Sequence, residues 1–301
     1  MFYRHAYLSA CEQSPLTAVS ACAYFVARDG GRPVAVLPAY LQTAANPLRR
    51  LHEVYPEAAG EPALLSPAWQ CHDAHVPATA EVLPRVLDRM IRTASILGAR
   101  WCGFVHVQRG GALSQALRAA GLPARHLTDI WATGLTTYEH YLAGLSRRAR
   151  ANLRRNERRS AGAGVTAETL PVDHAALDEI TLLCVKTASR FEDNGFHPDT
   201  TFAEFVTALG PLAHVIEVRQ HGRLVAAGVC LTDATRLHTW ACGVDYAVDG
   251  GYSPYGVLFA ESVRLATRLG LSSFEGGRGD AAFQRRHGLR PHHLDAVLLR
   301  V

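Results

Sequence analysis

The feature that most constrains the fold is an order of elements that occurs twice along the chain. Residues 28–35 (RDGGRPVA) align with residues 219–226 (RQHGRLVA) at an offset of 191, and residues 91–98 (IRTASILG) align with residues 263–270 (VRLATRLG) at an offset of 172. The first match lies at a turn between two apolar runs, and the second at the glycine end of an amphipathic helix. Two matches in the same order predict one α/β unit used twice. The open alternative is that hairpins and glycine-capped helices look alike in unrelated chains.

Apolar periodicity predicts the elements around this repeat. The first half is predicted to contain a hairpin over residues 23–42 that turns at Asp29-Gly30-Gly31, a helix over 79–97, a strand at 101–107, a helix at 113–122 and a strand near 127–135. The second half is predicted to contain a helix at 202–209, a hairpin over 214–233, a strand at 236–245, a helix at 255–269 closed by Gly270, and a strand at 271–277.

Length and composition limit the class of protein. A chain of 301 residues, 48% of them hydrophobic, is long enough to bury two cores. It contains no apolar run long enough for a membrane span and no basic-then-apolar start typical of a signal peptide, so we expect a cytoplasmic protein with no membrane partner. The seven cysteines are scattered and form no CxxC pair, which favours reduced, mostly buried thiols.

One segment carries most of the positive charge. Residues 145–160 (LSRRARANLRRNERRS) have a net charge of +6, whereas the whole chain has +4, so the remainder sums to −2. At 100° per residue the seven arginines cover about half of a helix, with Leu145, Ala149 and Leu153 on the other side. One interpretation is an ordinary solvated face. The shortage of carboxylates argues against it and favours a polyanionic partner, such as a tRNA backbone or an acidic acyl carrier protein.

The second half also contains the motifs of a known superfamily. A hairpin through H-G-R-L-V-A, a helix entered through Y-S-P-Y-G, and a strand that closes on F-E-G-G-R-G-D-A-A-F-Q-R-R-H-G together resemble the GNAT acyltransferase fold. The basic helix before them makes the chain most similar to the branch related to Fem-type peptidoglycan aminoacyltransferases, in which two GNAT units are fused. The resemblance is good over residues 145–294 and weaker over 1–140.

This resemblance implies a tandem GNAT α/β fold with two mixed-sheet units and flanking helices. We expect an N-terminal degenerate unit over residues 1–140, which would help to shape the acceptor pocket. The C-terminal unit over 141–301 would hold the reaction site and open with the basic helix 145–160. The implied activity is N-acyl transfer, in which an activated acyl or aminoacyl group forms an amide with a small-molecule amine. A possible setting is secondary metabolism or cell-wall precursor modification.

The donor is suggested by a departure from the family pattern. Acetyl-CoA-dependent relatives hold pyrophosphate on a Q/R-x-x-G-x-G/A loop at a helix N-terminus. The corresponding segment here, Gly250-Gly251-Tyr252-Ser253-Pro254-Tyr255-Gly256, lacks the leading basic residue. Aminoacyl-tRNA is therefore slightly favoured as the donor over an acyl thioester of CoA or of a carrier protein, and no tightly bound cofactor is expected. A non-catalytic module that binds RNA or an acidic protein is the alternative from another class.

The resemblance also suggests roles for individual residues. Glu275 is the first candidate for the base that deprotonates the amine, followed by Asp280 and then Asp245, and Tyr255 or Tyr252 could protonate the leaving group. Each carboxylate could instead be paired with Arg278, Arg285 or Arg286. The carbonyl would be polarised by backbone N–H groups where the strand HTWACGVD parts from SSFEGG. The predicted donor-binding residues are Trp240, Tyr252, Ser253, Gly256, Arg278, Gln284, Arg285 and Arg286, and the predicted polyanion-binding residues are Arg147, Arg148, Arg150, Arg154, Arg155, Arg158 and Arg159.

Other sites are not supported by the sequence. Gly277-Arg278-Gly279-Asp280-Ala281-Ala282 satisfies G-x-G-x-x-A, but too few residues follow it for a dinucleotide-binding unit. The segment Cys71-His72-Asp73 with His75, and the pair His292-His293, have no second ligand cluster at a standard spacing, so no metal site is predicted. The chain has no G-x-S-x-G, Walker or H-E-x-x-H motif, which argues against hydrolase, triphosphatase and metalloprotease chemistry.

Overall fold

The computed structural model describes residues 1–43, 48–72, 74, 82–190, 201–248 and 250–301. These residues divide into two compact units. The N-terminal unit holds residues 2–129 and 292–301, and the C-terminal unit holds residue 1 and the described parts of 130–291. The boundary therefore falls inside a strand at 129/130 rather than at the expected 140/141, and the last ten residues group with the N-terminal unit.

In the N-terminal unit, a long β-hairpin is followed by strands alternating with helices. Its strands follow the order β1-β2-β3-β4-β11, with β3 and β4 parallel and the other pairs antiparallel. The elements are α1 (His5–Gln13), β1 (Val19–Asp29), β2 (Arg32–Gln42), α2 (Arg49–Val54), β3 (Ala63–Ser66), α3 (Leu83–Ile96), β4 (Trp101–Gln108) and α4 (Ala112–Ala119).

The C-terminal unit repeats this plan after a helical entry. Its strands follow the order β5-β10-β9-β8-β7-β6, with β9 and β10 parallel and the other pairs antiparallel. The elements from here to the end of the chain are β5 (Arg125–Gly134), α5 (Tyr138–Gly144), α6 (Arg147–Gly162), β6 (Val165–Pro171), α7 (Leu177–Arg190), α8 (Phe202–Leu209), β7 (Ala213–Gln220), β8 (Arg223–Thr232), β9 (Arg236–Val244), α9 (Pro254–Arg268), β10 (Ser273–Glu275), α10 (Ala281–Arg286) and β11 (Arg290–Arg300).

The two halves of the chain exchange their closing strands. The strand that follows α4 is β5, and its end pairs with β10 of the C-terminal unit. The strand that follows α10 is β11, which pairs with β4 of the N-terminal unit. Each unit thus completes its sheet with a strand from the other half of the sequence, and this exchange explains why a cut at residue 140 does not separate the units.

Side-chain alternation along the strands creates a core on each face of the N-terminal sheet. Leu64 and Phe104 pack with α3 and α4, whereas Leu65 and Val105 pack with α2 on the opposite face. In the C-terminal unit a separate core joins β5, β7, β8 and β9 to α5, α6 and α9. On β9, Gly243 allows close approach of α7, because an added Cβ would lie 2.6 Å from backbone atoms of Leu183 and Cys184.

The predicted elements are largely confirmed. Both hairpins turn where expected, and Gly98 and Gly270 follow their helices with φ of 74° and 68°. The helix expected over 79–97 is described as Leu83–Ile96, and residues 79–81 lie outside the described part. All seven cysteines are free thiols. Among the described helices, none is both long and apolar enough to cross a membrane.

Candidate active site

The centre of the candidate site is the point where β9 and β10 stop pairing. Their parallel pairing covers three residues of each strand and ends at His238 and Glu275, while β9 continues to Val244. The pairing of β9 with β8 shifts register around Trp240, which is a β-bulge. Because a bulge bends and twists its strand, it turns β9 away from the end of β10. The strands therefore separate in the segment where the sequence predicted it.

A glycine pair follows the end of β10 and is held by β5. The Gly276 N–H donates to the Trp131 carbonyl at 2.8 Å, and the Trp131 N–H donates to the Gly277 carbonyl at 3.1 Å, so β5 holds the loop after β10 ends. Gly277 has φ of 83°, and a Cβ there would lie 3.1 Å from the Thr239 carbonyl. A Cβ on Gly276 would lie 2.4 Å from Oε1 of Gln284. Both positions therefore require glycine.

A buried charge cluster lies at the last paired residues. His238 is fully buried; its Nδ1 is 2.7 Å from Oε1 of Glu275 and its Nε2 is 3.3 Å from Oδ2 of Asp233. Burial alone would lower the pKa of His238, but the charge of Glu275 and the hydrogen bonds to Asp233 and Glu275 outweigh it and raise the pKa to about 9. For Asp233, burial is opposed by hydrogen bonds from His238 and the Thr235 N–H, which hold its pKa well below the ordinary value.

The three candidate carboxylates all have partners. Glu275 is 3% exposed and bonded to His238, with Arg236 4.0 Å away. Asp280 is exposed and caps α10, where its Oδ1 accepts from two backbone N–H groups at 3.0 Å. Asp245 pairs with Arg223 and accepts from the Ala247 N–H at 3.0 Å. Each of the three carboxylates therefore makes at least one structural bond.

Two tyrosines at the start of α9 differ in their surroundings. The Tyr255 ring packs 4.7 Å from the Phe283 ring, measured between centroids. Burial, followed by the nearby Cys242 and Tyr246, raises the pKa of Tyr255 far above its ordinary value, so its phenol keeps its proton at neutral pH. The Tyr252 hydroxyl donates to Oε1 of Gln220 at 3.1 Å. Tyr255 is therefore the tyrosine placed beside the end of β9.

The backbone at the start of α9 is bonded to the basic helix. The Ser253 N–H donates to Oδ1 of Asn156 at 2.6 Å, and the Asn156 amide donates back to the Ser253 carbonyl at 3.1 Å. Nη1 of Arg159 donates to the Gly251 carbonyl at 3.0 Å. The Ser253 hydroxyl accepts from the Gly256 N–H at 3.1 Å, as an N-cap does. Gly256 packs against Asn156, because a Cβ there would lie 2.8 Å from the amide nitrogen.

The basic helix begins at Arg147, two residues later than expected, and Ser146 caps it. Leu145, Ala149 and Leu153 are buried as predicted. Arg154 lies 3.5 Å from Glu139, and Arg159 is bonded to Gly251, so these two of the seven arginines have local partners. The other five, for which the described residues provide no ion pair, are Arg147, Arg148, Arg150, Arg155 and Arg158.

Two predicted donor-binding residues make structural contacts. Trp240 is 8% exposed and stacks on Phe205 and Phe202, with ring centroids 5.3 and 6.1 Å away. Gln284 is fully buried and donates from its amide to the Gly276 carbonyl at 2.6 Å. Trp240 therefore packs against α8 and Gln284 supports the glycine loop, and a role for either side chain in donor binding stays a prediction.

Three predicted donor-binding arginines lie in α10 or just before it. Arg285 is exposed, and its guanidinium lies 5.5 Å from the centre of the Trp131 ring. Arg286 is exposed and Arg278 is half-buried. Of the metal-type residues set aside in the sequence, Cys71 and His72 are buried, while Asp73 and His75 lie outside the described residues.

Sequence reasoning missed three residues of this region: Asn156, Asp233 and His238. Asn156 lies in a segment dominated by arginines, so it gave no separate signal. Its role depends on Ser253, which is 97 positions away. His238 lies in a strand that was predicted, but its partner is 37 positions away, so no local spacing identifies the ion pair. A histidine in the middle of an apolar strand was the available signal, since a buried imidazole needs partners.

Comparisons with known proteins agree with this geometry. Residues 147–285 match the family described as acetyltransferase (GNAT) domain. FemX is similar in structure, with a TM-score of 0.67 and 11% identity over 98% of this chain and 91% of FemX. The C-terminal domain of a putative lysylphosphatidylglycerol synthetase from Agrobacterium fabrum gives a TM-score of 0.60 and 14% identity over 96% of this chain and 92% of that domain.

A tandem GNAT protein from the clavulanic acid biosynthesis pathway also has this fold, with a TM-score of 0.52 and 13% identity over 95% of this chain and 86% of that protein. No curated protein sequence gives a significant match. Identities this low show a shared fold, and the GNAT match over residues 147–285 identifies the C-terminal unit. Residues 147–285 thus form a GNAT acetyltransferase domain, and the chain as a whole has the fold of FemX and of the tandem GNAT protein.

Proposed function

We propose that this acyltransferase moves an aminoacyl group from aminoacyl-tRNA to an amine acceptor and forms an amide bond. The observation that carries the choice of donor is the bonding at the start of α9. A GNAT enzyme that uses CoA needs free backbone N–H groups at this helix start to hold pyrophosphate. In this chain the Ser253 N–H is bonded to Asn156, residue 254 is a proline without an N–H, and the Gly256 N–H is bonded to the Ser253 hydroxyl.

The surface of α6 supports the same donor. Five arginines without a described ion pair cover half of the helix, which is more positive charge than the three phosphates of CoA require. A nucleic-acid backbone presents a phosphate at every nucleotide, and arginine guanidinium groups bind phosphate through paired hydrogen bonds. Two structural neighbours, FemX and the C-terminal domain of a putative lysylphosphatidylglycerol synthetase, are consistent with an aminoacyl donor.

The chemistry requires three groups at the strand separation. The acceptor nitrogen attacks the carbonyl carbon of the aminoacyl ester, the bond from that carbon to the ribose oxygen breaks, and the nitrogen loses a proton while the ribose oxygen gains one. Backbone N–H groups of β9 beyond His238 would stabilise the negative charge that develops on the carbonyl oxygen. Tyr255, whose burial keeps the phenol protonated, would give its proton to the leaving oxygen.

The bonds of the three carboxylates change what is proposed for the base. Because Glu275 is paired with His238, we assign it to positioning β9 against β10 rather than to direct proton removal. Asp280 remains a candidate base, since its carboxylate is exposed and only one of its oxygens, Oδ1, caps the helix. Its carboxylate could remove the proton through a water molecule once the amine attacks.

The first experiment measures binding of the full chain to charged bulk tRNA and to CoA at about 50 and about 200 mM salt. Contacts with several phosphates should make the affinity for tRNA fall by orders of magnitude over this range. Replacing Arg147, Arg148, Arg155 and Arg158 with glutamate should abolish tRNA binding. The double variant R85E/R89E, in which both arginines are exposed on α3 of the N-terminal unit, is the matched control for the double variant R155E/R158E, which should weaken tRNA binding strongly.

Transfer is then followed with radiolabelled aminoacyl-tRNA and a panel of amines. Loss of label from tRNA into an amide supports the proposal. Micromolar binding of CoA without tRNA binding would instead identify an acyl-CoA donor, and failure of both would direct the search to acyl carrier proteins. Full biological output from E275Q, D280N and Y255F together with loss of output in R155E/R158E would show a non-catalytic binding module.

A further inference from the structure

A second cluster of polar side chains lies in the N-terminal unit. His126 and Asp129 come from the start of β5, and His293 comes from the start of β11. Nδ1 of His293 is 2.7 Å from Oδ1 of Asp129, and Nε2 of His126 is 3.5 Å from the same oxygen. One potential ligand atom from each residue lies within 4.8 Å of the other two.

A further carboxylate, that of Asp295, lies beside the cluster and is bonded to Arg109. Asp295 has a side-chain exposure of 6% and accepts two hydrogen bonds from Arg109, at 3.0 Å from Nε and 2.5 Å from Nη2. Its Oδ1 is 3.8 Å from Nδ1 of His126, while the other ring nitrogen of His126 faces Asp129. Metal-binding histidines commonly have this arrangement, with the second ring nitrogen directed at a carboxylate.

The backbone fixes the third residue. The Arg109 N–H donates to the His293 carbonyl at 2.9 Å, so β4 holds the start of β11 in place. A register shift follows at Asp295 and Val297, opposite the positive φ of His106. Such a bulge alters the direction of neighbouring side chains. Since Asp295 neutralises Arg109, the three clustered residues retain one net negative charge, from Asp129.

We propose that His126, Asp129 and His293 bind a divalent transition metal ion, with Zn²⁺ as the natural choice. Two imidazoles and one carboxylate suit Zn²⁺, whereas Mg²⁺ and Ca²⁺ prefer oxygen ligands alone. Bonds of about 2.0 Å in a tetrahedral site place the ligand atoms about 3.3 Å apart, and the distances of 2.7 and 3.5 Å lie on either side of this value. Side-chain exposures of 41%, 30% and 49% give the ion access and leave a position for water.

The bound ion would link distant parts of the sequence. Asp129 and His293 are 164 positions apart, and the ion would join the start of β5 to the start of β11. A ligand that binds the folded state and not the unfolded one raises stability by mass action. The site is therefore a metal clip that stabilises the N-terminal unit, and it is separate from the residues assigned to transfer.

The test is calorimetric titration of the metal-free full chain with Zn²⁺. We expect one site of micromolar or better affinity that is weakened at least tenfold in H126A, H293A and D129N. The matched control is H292A, which removes the adjacent exposed imidazole of β11 and should leave the affinity unchanged. Bound Co²⁺ should give visible absorption bands in the parent chain and in H292A, and these bands should be lost in H126A and H293A.

A thermal readout separates loss of the site from loss of the fold. Zn²⁺ should raise the Tm of the parent chain and of H292A by several degrees and leave that of H293A unchanged. Without metal, H293N should melt close to the parent chain, which would show that the variant folds. Absence of Zn²⁺ binding to the parent, or equal binding in the parent, H126A and H293A, would overturn the proposal. Neither outcome depends on whether the protein transfers aminoacyl groups.

Discussion

His238 and Glu275 form a buried ion pair across β9 and β10 at the last residues where these strands pair. Nδ1 of His238 is 2.7 Å from Oε1 of Glu275, and the two side chains are 0% and 5% exposed. Beyond this pair the strands separate. The glycine loop comes directly after Glu275, and Tyr255 lies at the start of α9. The ion pair therefore fixes where the paired part of the sheet ends and where the separation begins.

The first prediction concerns the pH dependence of stability. The pKa of His238 is raised from 6.5 to about 9, so the folded state binds this proton more tightly than the unfolded chain. The resulting stabilisation is complete below about pH 6.5 and is lost as the pH rises through about 9. Denaturant melts should show a decrease on the order of 2–3 kcal/mol over this interval, and H238N should remove most of the decrease.

A control distinguishes His238 from general alkaline effects. His140 is exposed on α5, so H140Q should retain the pH dependence of the parent chain. If H238N and the parent lost stability in parallel between about pH 6.5 and 9, His238 would not be the group that titrates.

The second prediction treats the ion pair as a unit. E275Q leaves a buried imidazolium without its nearest charge, and we expect it to lower the free energy of unfolding by about 3–5 kcal/mol. In the double variant H238N/E275Q neither charge remains, so the loss should be smaller than the sum of the single losses by about 1–3 kcal/mol. Additive losses would contradict the pairing. The exposed pair of Arg154 and Glu139 provides the reference cycle, with an expected coupling below about 1 kcal/mol.

Much of the fold follows from local sequence signals. Hairpins marked by Asp29-Gly30-Gly31 and His221-Gly222, and helices ended by Gly98 and Gly270, were predictable because turn and cap residues act on their immediate neighbours. The strand β11 was not predicted, and neither was the exchange of closing strands. Strand partners depend on contacts between residues far apart in sequence, and the apolar pattern of a strand does not identify its neighbour.

Prediction of the candidate site was also limited by contacts between residues far apart in sequence. The separation of β9 from β10 and the buried side of α6 were predicted correctly, whereas the burial of Gln284 was not anticipated. From sequence alone, a glutamine in a basic, glycine-rich loop is predicted to be a surface residue that binds a ligand. In the structure it is fully buried and bonded to the Gly276 carbonyl, and a Cβ on Gly276 would displace it. Burial is a property of the assembled unit, so a polar residue in a loop does not reveal it.

The third prediction concerns the contact between Asn156 and Ser253. N156A removes two hydrogen bonds at the start of α9, and we expect a loss of about 1–3 kcal/mol in the free energy of unfolding. It also frees the Ser253 N–H, so CoA should bind the variant at least as well as the parent. Asn152 is the matched control, because it lies on the same helix and is half-buried, and N152A should leave CoA binding unchanged. Weaker CoA binding in N156A would mean that Asn156 contacts the donor directly.

The fourth prediction tests the glycine loop. G277A places a Cβ at φ of 83° and 3.1 Å from the Thr239 carbonyl, so it should cost about 1–3 kcal/mol of stability and reduce transfer at least tenfold. Gly279 is the matched control, because it is exposed and has no atom within 4 Å of an added Cβ. G279A should be within about 0.5 kcal/mol of the parent chain. Equal effects of the two variants would show that the loop does not require its backbone conformation.

The last prediction assigns the proton of the leaving group. The pKa of Tyr255 is raised by burial first and by Cys242 and Tyr246 next, so its phenol is protonated throughout the neutral range. Y255F removes that proton donor while keeping the ring against Phe283, and the rate of transfer should fall by about 10²-fold or more with little change in KM. Y252F, which removes a hydroxyl bonded to Gln220, should retain the rate.

The leaving group provides the decisive comparison for Tyr255. A donor whose leaving oxygen has a low pKa needs little help from an acid, because it departs without a proton. Y255F should therefore be much less impaired with an aminoacyl aryl ester than with aminoacyl-tRNA, whose ribose oxygen is a poor leaving group. An equal decrease with both donors would show that the Tyr255 hydroxyl contributes to the site by some means other than protonating the leaving oxygen.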